Sequence, residues 1–220
     1  VKEEFIFDAP VGADLDKFNF GLITDKIKEK YQLLENEHIV LYIGQLHGAQ
    51  YVELFIRAAN IVLQKYADVK FMIVGEGFLG HQLRQLARDL GLENKIIFTG
   101  AVSHDEIPAY ISLASVCTAP FRDTEVTRCK SPLKIVEYMA SGKAIVASNV
   151  GEVSRMLGGV GVLTAPGDYH DLAKGIIALL GDSNLRKNLG LVARKRAEDK
   201  YSWPHTAENL LRAYNKIIKQ

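Results

Sequence analysis

From about residue 38 onward, short apolar runs rich in β-branched residues alternate with longer stretches of helical period, and no other feature of the chain narrows its fold as much. The runs HIVLYI (38–43), KFMIV (70–74), KIIFT (95–99), SVCTA (115–119), AIVAS (144–148) and GVLT (161–164) read as strands. Between the first two, Phe55, Ala58, Ala59, Val62 and Tyr66 share one side of a helix, with Glu53, Arg57, Asn60 and Gln64 opposite. After the second, Leu79, Leu83, Leu86, Ala87 and Leu90 form a similar face, stopped by Gly91. Ser103 and Glu106 have capping-box spacing at the start of a short helix. Ser131 and Pro132 read as an N-cap and a first helical residue, in a helix that stops at Gly142. Strands without polar alternation are buried on both faces, and helical connections imply parallel pairing. The expected fold is therefore α/β, a doubly wound, Rossmann-like parallel sheet of about six strands.

Two or three helices close the chain. Trp203-Pro204 marks a bend between the last two, with Trp203 read as aromatic packing, and Leu210, Leu211, Tyr214 and Ile217 mark the final apolar face. The expected division is a linker over 1–20, a ligand-binding domain over 21–200 and a terminal helix over 201–220. No second α/β unit precedes His38, and a first residue of Val suggests a piece of something longer.

Composition removes several function classes. The 220 residues carry a formal net charge of +1, with no basic stripe or tail, so nucleic acid is not an expected partner. The apolar runs are too short to span a bilayer, and the opening VKEEFIFDAP has no signal-peptide core. Cys117 and Cys129 form neither a disulfide framework nor a metal spacing. A reduced, cytoplasmic protein is the default expectation. The six histidines lack metal-ligand spacing, and only His47, in the loop after the first strand, is placed to meet a ligand. Cys117, within a strand, reads as a small apolar core residue.

Ligands of open α/β sheets bind at the carboxyl ends of the strands, so the loops after Ile43, Val74, Thr99 and Ala119 are the places to search. Gly75-Glu76-Gly77-Phe78-Leu79-Gly80 is a full G-x-G-x-x-G between strand and helix, as in nicotinamide-dependent enzymes. It follows the second strand and lacks the acidic residue expected about 20 positions on, so a glycine turn shaping the ligand rim is the competing reading. The second candidate is SPLKIVEYMASGKAIVAS (131–148). A helix opening near Ser131 would turn bare amides toward the crevice, a seat for a pyrophosphate. Lys134 adds charge in the first turn, and Glu137, one turn on, could accept two hydroxyls of a ribose. The alternative is a capped core helix on which Lys134 and Glu137 form a solvated i,i+3 pair.

That segment resembles the signature helix and strand of family-4 glycosyltransferases with the two-domain GT-B fold. VGADLDKFNF (11–20), VLYIGQL (40–46), FMIVGEG (71–77), IIFTGAVSHDEIPAYISLASVCTAPF (96–121), GDYHDLAKGIIALLGDSNLRKNLG (167–190) and YSWPHTAENLLRAY (201–214) resemble the family in the same order. The resemblance implies the C-terminal, donor-binding domain of a retaining enzyme. Such an enzyme moves a hexose from a nucleoside diphosphate, UDP or GDP, to a saccharide or lipid-linked acceptor without a cofactor or metal. It implies a missing N-terminal acceptor-binding domain as partner, and possible attachment of the full enzyme at the cytoplasmic membrane face. Glu137 matches the second glutamate of the family's pair, expected on the ribose. Ser131, Leu133 and Lys134 match the diphosphate seat, with Lys134 as its cationic stabiliser. Gly44 and Gln45 match the glycine loop near the phosphates, and Gly75, Glu76, Gly77 and Val102 the nucleoside pocket.

The chain departs from the family at three places. Gln45 and Gln50 stand where Arg and Lys are usual, and Cys129 where the first glutamate is expected. Losing one preorganised donor costs about 2.7–4 kcal/mol of transition-state stabilisation. Arg122, Arg128, Lys130 and Lys134 cluster near the loop after the fourth strand and could compensate, or could be a solvated surface loop. A catalytically degenerate module acting in protein interaction or regulation is the alternative function.

Overall fold

The computed structural model describes residues 6–48 and 51–218. Six strands run β1 (Ile39–Ile43), β2 (Lys70–Val74), β3 (Ile96–Gly100), β4 (Val116–Ala119), β5 (Ile145–Ser148) and β6 (Val162–Thr164). They form one sheet in the order β3-β2-β1-β4-β5-β6, every neighbour pair parallel. The helices are α1 (Asp25–Tyr31), α2 (Val52–Lys65), α3 (Gly80–Asp89), α4 (Ile107–Leu113), α5 (Glu125–Arg128), α6 (Leu133–Ala140), α7 (Glu152–Leu157), α8 (Tyr169–Gly181), α9 (Ser183–Lys200) and α10 (Trp203–Ile218). The doubly wound sheet expected from the alternation is present. The sequence reading marks neither α1, α5 nor α7.

Alternating strand residues feed two cores. Leu41, Ile43, Met72, Val74, Cys117, Ile145 and Ala147 face the layer containing α4, α6, α7 and α9. Val40, Tyr42, Phe71, Ile73, Val116 and Val146 face α2, α3 and α8. Both faces of each central strand are therefore apolar, which is why β1, β4 and β5 show no polar alternation. The chain builds outward from β1 through β2 to β3, then returns to begin the other half at β4. The direction of winding reverses between β1 and β4, and the crevice that reversal opens at their carboxyl ends is where ligands bind in such sheets.

The segment before α1 packs onto this body. Ala13 and Phe18 are buried, Ala13 N–H donates to the Tyr201 carbonyl at 2.8 Å, and Arg194 donates to the carbonyls of Leu15, Phe18 and Ala140. The bend between α9 and α10 falls at Tyr201-Ser202, one or two residues before the Trp-Pro pair, because Trp203 and Pro204 form the first turn of α10. Trp203 is 49% exposed, so it does not pack as expected. Leu210, Leu211, Tyr214 and Ile217 form an apolar face that lies exposed. Among the described residues no helix is long and apolar enough to cross a membrane.

Candidate functional site

A cleft of about 750 Å³ opens at the carboxyl ends of β1, β2 and β3. Gly44, Gln45 and His47 form one wall, Gly75 to Phe78 a second, and Ala101, Val102, His104 and Ile107 a third. Its size suits a small organic ligand. Six of the residues expected at a donor site (Gly44, Gln45, Gly75, Glu76, Gly77 and Val102) line it together.

The glycines there answer to each other. Gly75 has φ +133°, and a Cβ on it would lie 2.1 Å from the Gly44 carbonyl oxygen. A Cβ on Gly77 would meet the Leu46 carbonyl oxygen at 2.4 Å. Two hydrogen bonds extend the β1–β2 pairing into these loops, Gly44 N–H to Val74 O at 2.9 Å and Leu46 N–H to Glu76 O at 2.9 Å. Gly75 and Gly77 thus let two loop backbones run side by side at the rim. The motif also sits on β2, one strand away from the β1–β4 reversal. The geometry favours the rim-shaping reading over a dinucleotide fingerprint.

The other part of the site is the start of α6. Helix α6 begins at Leu133 with Pro132 as N-cap, one residue later than the sequence suggests, and no side chain caps it. Ser131 therefore does not act as the N-cap. Pro132 sits in an extended conformation, φ −77° and ψ 109°, outside the helix. The Leu133 amide has no hydrogen-bond partner among the described residues. Ser131 and Leu133 are exposed at this tip. Tyr138, four residues into the buried face, fixes the helix to the end of β1: its hydroxyl accepts from the Ile43 N–H at 3.0 Å.

Lys134 reaches over the end of β1. Its Nζ donates to the Tyr42 hydroxyl at 3.3 Å and lies 4.3 Å from the centre of the Tyr42 ring. A Cβ on Gly44 would fall 2.6 Å from that Nζ, so the ammonium stands against a residue that lines the cleft. Burial, reinforced by the like charge of Lys130, pulls the Lys134 amine down to about 7. Glu137 is 6% exposed. Burial pushes its carboxyl up to about 7, opposed by the charges of Lys134 and Lys17. No hydrogen bond to its carboxylate occurs among the described residues, yet neither oxygen is fully enclosed: among those residues the one enclosed side-chain oxygen or nitrogen without a hydrogen bond is Ser141 Oγ. The solvated-pair reading of Lys134 and Glu137 fails on this burial. Neither Lys134, Glu137, Ser131 nor Leu133 lines the 750 Å³ cleft; Lys134 adjoins it through Gly44, and Ser131 lines the neighbouring hollow with Cys129 and Lys130.

The remaining cations divide. Arg128 is held bidentately by Asp123 at 2.6 and 2.9 Å, and Arg122 bonds Glu53 at 3.3 Å, so both are engaged by carboxylates. The short α5 that carries Arg128 is closed by a Thr124–Thr127 capping box. Lys130 lies over the Phe121 ring at 5.4 Å. Gln45 Oε1 accepts from His47 Nε2 at 3.1 Å on the cleft wall. Cys129 is exposed beside Lys130 and Ser131 in a neighbouring hollow. Gln50 lies outside the described residues. Phe78, 78% exposed on the cleft rim, is a residue that sequence reasoning missed, although its place inside the glycine motif was a usable signal.

The family Glycosyl transferases group 1 matches residues 37–182, well over half of the chain and all of the elements that build this site. The chain belongs to the group 1 glycosyl transferases. An alpha-D-kanosaminyltransferase of Streptomyces kanamyceticus is 29% identical over 194 residues, covering 87% of this chain and 49% of the relative. The chain spans about half the length of the curated relatives it matches. The C-terminal domain of a group 1 family protein (LpcC) of Francisella tularensis superposes with a TM-score of 0.74 at 22% identity, covering 87% of this chain and 100% of that one. Anabaena Alr3699/HepE, solved in complex with UDP, gives 0.74 at 23% identity, covering 95% of this chain and 56% of that one. The fold of this group 1 chain is that of the C-terminal domain of a GT-B glycosyltransferase.

Proposed function

We propose that this chain is the nucleotide-sugar-binding half of a retaining, family-4 glycosyltransferase that moves a hexose from UDP or GDP to a saccharide or lipid-linked acceptor. The observation that carries the reading is the α6 tip: an uncapped amide, a half-buried lysine turned toward Gly44, and, one turn on, a buried carboxylate with no hydrogen bond among the described residues. A desolvated carboxylate without hydrogen bonds is costly, and such perturbed groups cluster at functional sites. Two ribose hydroxyls donating to Glu137 would favour its ionised form and draw its pKa back down. The base then fits the 750 Å³ cleft between the loops after β1, β2 and β3. The diphosphate lies at the Leu133 amide and the Lys134 ammonium, whose proton affinity rises as the anion arrives.

Departure of the diphosphate builds negative charge on its oxygens. Amides and ammonium groups already aimed at that point stabilise it without reorganisation, which is how such a site works without a resident metal. The tip of α6 contributes about 0.3–1 kcal/mol if exposed and ~2 if partly buried. Lys134, in the first turn of the helix, and Lys130, just before it, supply most of the rest. The acceptor and its activating groups belong to the partner domain across the cleft. UDP bound to the similarly folded Alr3699/HepE supports a nucleoside diphosphate as ligand.

One observation favours a second reading, a degenerate module without transfer activity. Gln45 and Cys129 stand where the family has a cation and a carboxylate, and Arg122 and Arg128 are engaged by Glu53 and Asp123. Thermal-shift titrations with UDP, GDP, ADP and NAD separate the readings. A ligand at 100 times its Kd stabilises by about 2.7 kcal/mol. A shift with UDP or GDP is expected; a shift with NAD alone, or with none of the four, refutes the donor-site reading.

A further inference from the structure

We propose that Tyr42 is a positioning residue of the donor site, holding the Lys134 ammonium at the mouth of the cleft for the diphosphate. The inference rests on the reading of Lys134 as a diphosphate-binding group. Tyr42 is fully buried in β1, wedged against Phe55 with ring centres 6.0 Å apart, so its hydroxyl has one fixed position. That hydroxyl accepts from Lys134 at 3.3 Å, and the ring face lies 4.3 Å from the same Nζ. The two contacts are independent in chemistry, a hydrogen bond and a cation–π attraction strengthened by desolvation. They act together on the end of a flexible four-carbon arm.

Geometry explains why the arm needs a hold. Lys134 leaves α6 in the layer that faces α4 and α9, while the ring of Tyr42 belongs to the opposite core, against α2. The lysine must cross the end of β1 to reach it, and the absence of a side chain at Gly44 leaves the passage open. Lys130 repels the ammonium, and Glu137 attracts it from one turn along the helix. Burial keeps the Tyr42 phenol neutral, with Glu53 adding to the effect, so it offers an oxygen and not a competing anion. A lysine already parked at the cleft loses less side-chain freedom when a diphosphate arrives.

The test compares UDP with uridine, and GDP with guanosine, by titration calorimetry or NMR shift titration on the unaltered chain and on Tyr42→Phe, Lys134→Met and the double variant. The nucleoside reads the base and ribose contacts; the ratio of the two affinities reads the diphosphate contacts. Tyr42→Phe keeps the shape and the ring and removes only the hydroxyl. The ratio should fall about fivefold, the worth of one net hydrogen bond, with nucleoside affinity unchanged. In the Lys134→Met background the same change should have no effect on the ratio. An unchanged ratio in Tyr42→Phe, or equal loss for nucleoside and nucleotide, overturns the positioning role and leaves the donor site standing. The grip is also read without ligand: the Lys134 Hε protons should be ring-shifted upfield of other lysines in the unaltered chain and in Tyr42→Phe. Their absence there overturns the proposal directly. Silence of UDP and GDP despite a ring-shifted Lys134 refutes the donor reading, and the role of Tyr42 falls with it.

Discussion

Replacing Glu137 by Gln should make the protein more stable at pH 8 while damaging its ligand site. The Glu137 carboxyl titrates near 4.5 when unperturbed and is pushed up to about 7 by burial in the fold. An acid whose folded pKa is raised holds more protons in the native state than in the unfolded chain between those values. Stability therefore falls as pH rises from about 4.5 to about 7, and the full cost persists above that. Integrating over the two titrations gives about 1 kcal/mol of destabilisation at pH 5 and about 3 kcal/mol at pH 8. A glutamine has nearly the same volume and no charge to desolvate, so Glu137→Gln should recover most of this difference. The assay is urea unfolding of both proteins at pH 5, 6, 7 and 8. The advantage of the variant should grow by about 2 kcal/mol across that range. A difference that stays flat with pH, or a variant less stable at pH 8, would refute the claim that burial of the Glu137 carboxylate outweighs the attraction of Lys134 and Lys17.

Gly75→Ala should cost about 2–5 kcal/mol and lower the Tm by roughly 5–15 °C, because the new Cβ would meet the Gly44 carbonyl oxygen at 2.1 Å at a φ of +133°; an unchanged Tm on calorimetry would show the two loops are not in contact. Phe78→Ala should leave stability within about 0.5 kcal/mol, since the ring is 78% exposed, but weaken uridine and UDP, or guanosine and GDP, by the same factor of about five; a loss confined to the nucleotide would move Phe78 from the base to the phosphates. Iodoacetamide followed by mass spectrometry should mark Cys129 on the native protein and Cys117 only after unfolding, because Cys117 is enclosed and its thiol is pushed up to about 12; labelling of both at equal rates would contradict the burial of β4.

The sheet was legible because its strands obey one strong constraint. Residues such as Val40 and Leu41, or Val146 and Ala147, alternate between two helical layers, so the apolar runs are unbroken and easily seen. Strand limits followed to within a residue. The short helices α1, α5 and α7 were not legible, since four to seven residues hold too few turns to set an apolar period. The start of α6 was misplaced by one residue because Ser-Pro fits an N-cap and first position as well as it fits an extended approach. Trp203 was misjudged for a related reason: an aromatic beside proline says nothing about what covers it.

At the site, the glycine loops were legible as a rim because Gly75 and Gly77 stand where a strand ends. The neighbours of Lys134 were not. The pairing of Lys134 with Tyr42 spans 92 residues and two layers, and it depends on Gly44 leaving the path clear. The cluster of Arg122, Arg128, Lys130 and Lys134 looked like one basic group in sequence. In space Asp123 holds Arg128 and Glu53 holds Arg122, while Lys130 lies over Phe121 and Lys134 bonds Tyr42. Short spacing along a loop predicts proximity, but not which acidic partner wins.

The central claim is that Glu137 grips a ribose whose diphosphate rests on the tip of α6. Affinities of UDP and GDP, each against its 2′,3′-dideoxy counterpart, for the unaltered chain and for Glu137→Ala test it most directly. Binding of at least one intact nucleotide to the unaltered chain, a clear preference for it over the dideoxy form, and loss of that preference in the variant are the predicted results. A preference that survives Glu137→Ala would place the ribose elsewhere and contradict the account.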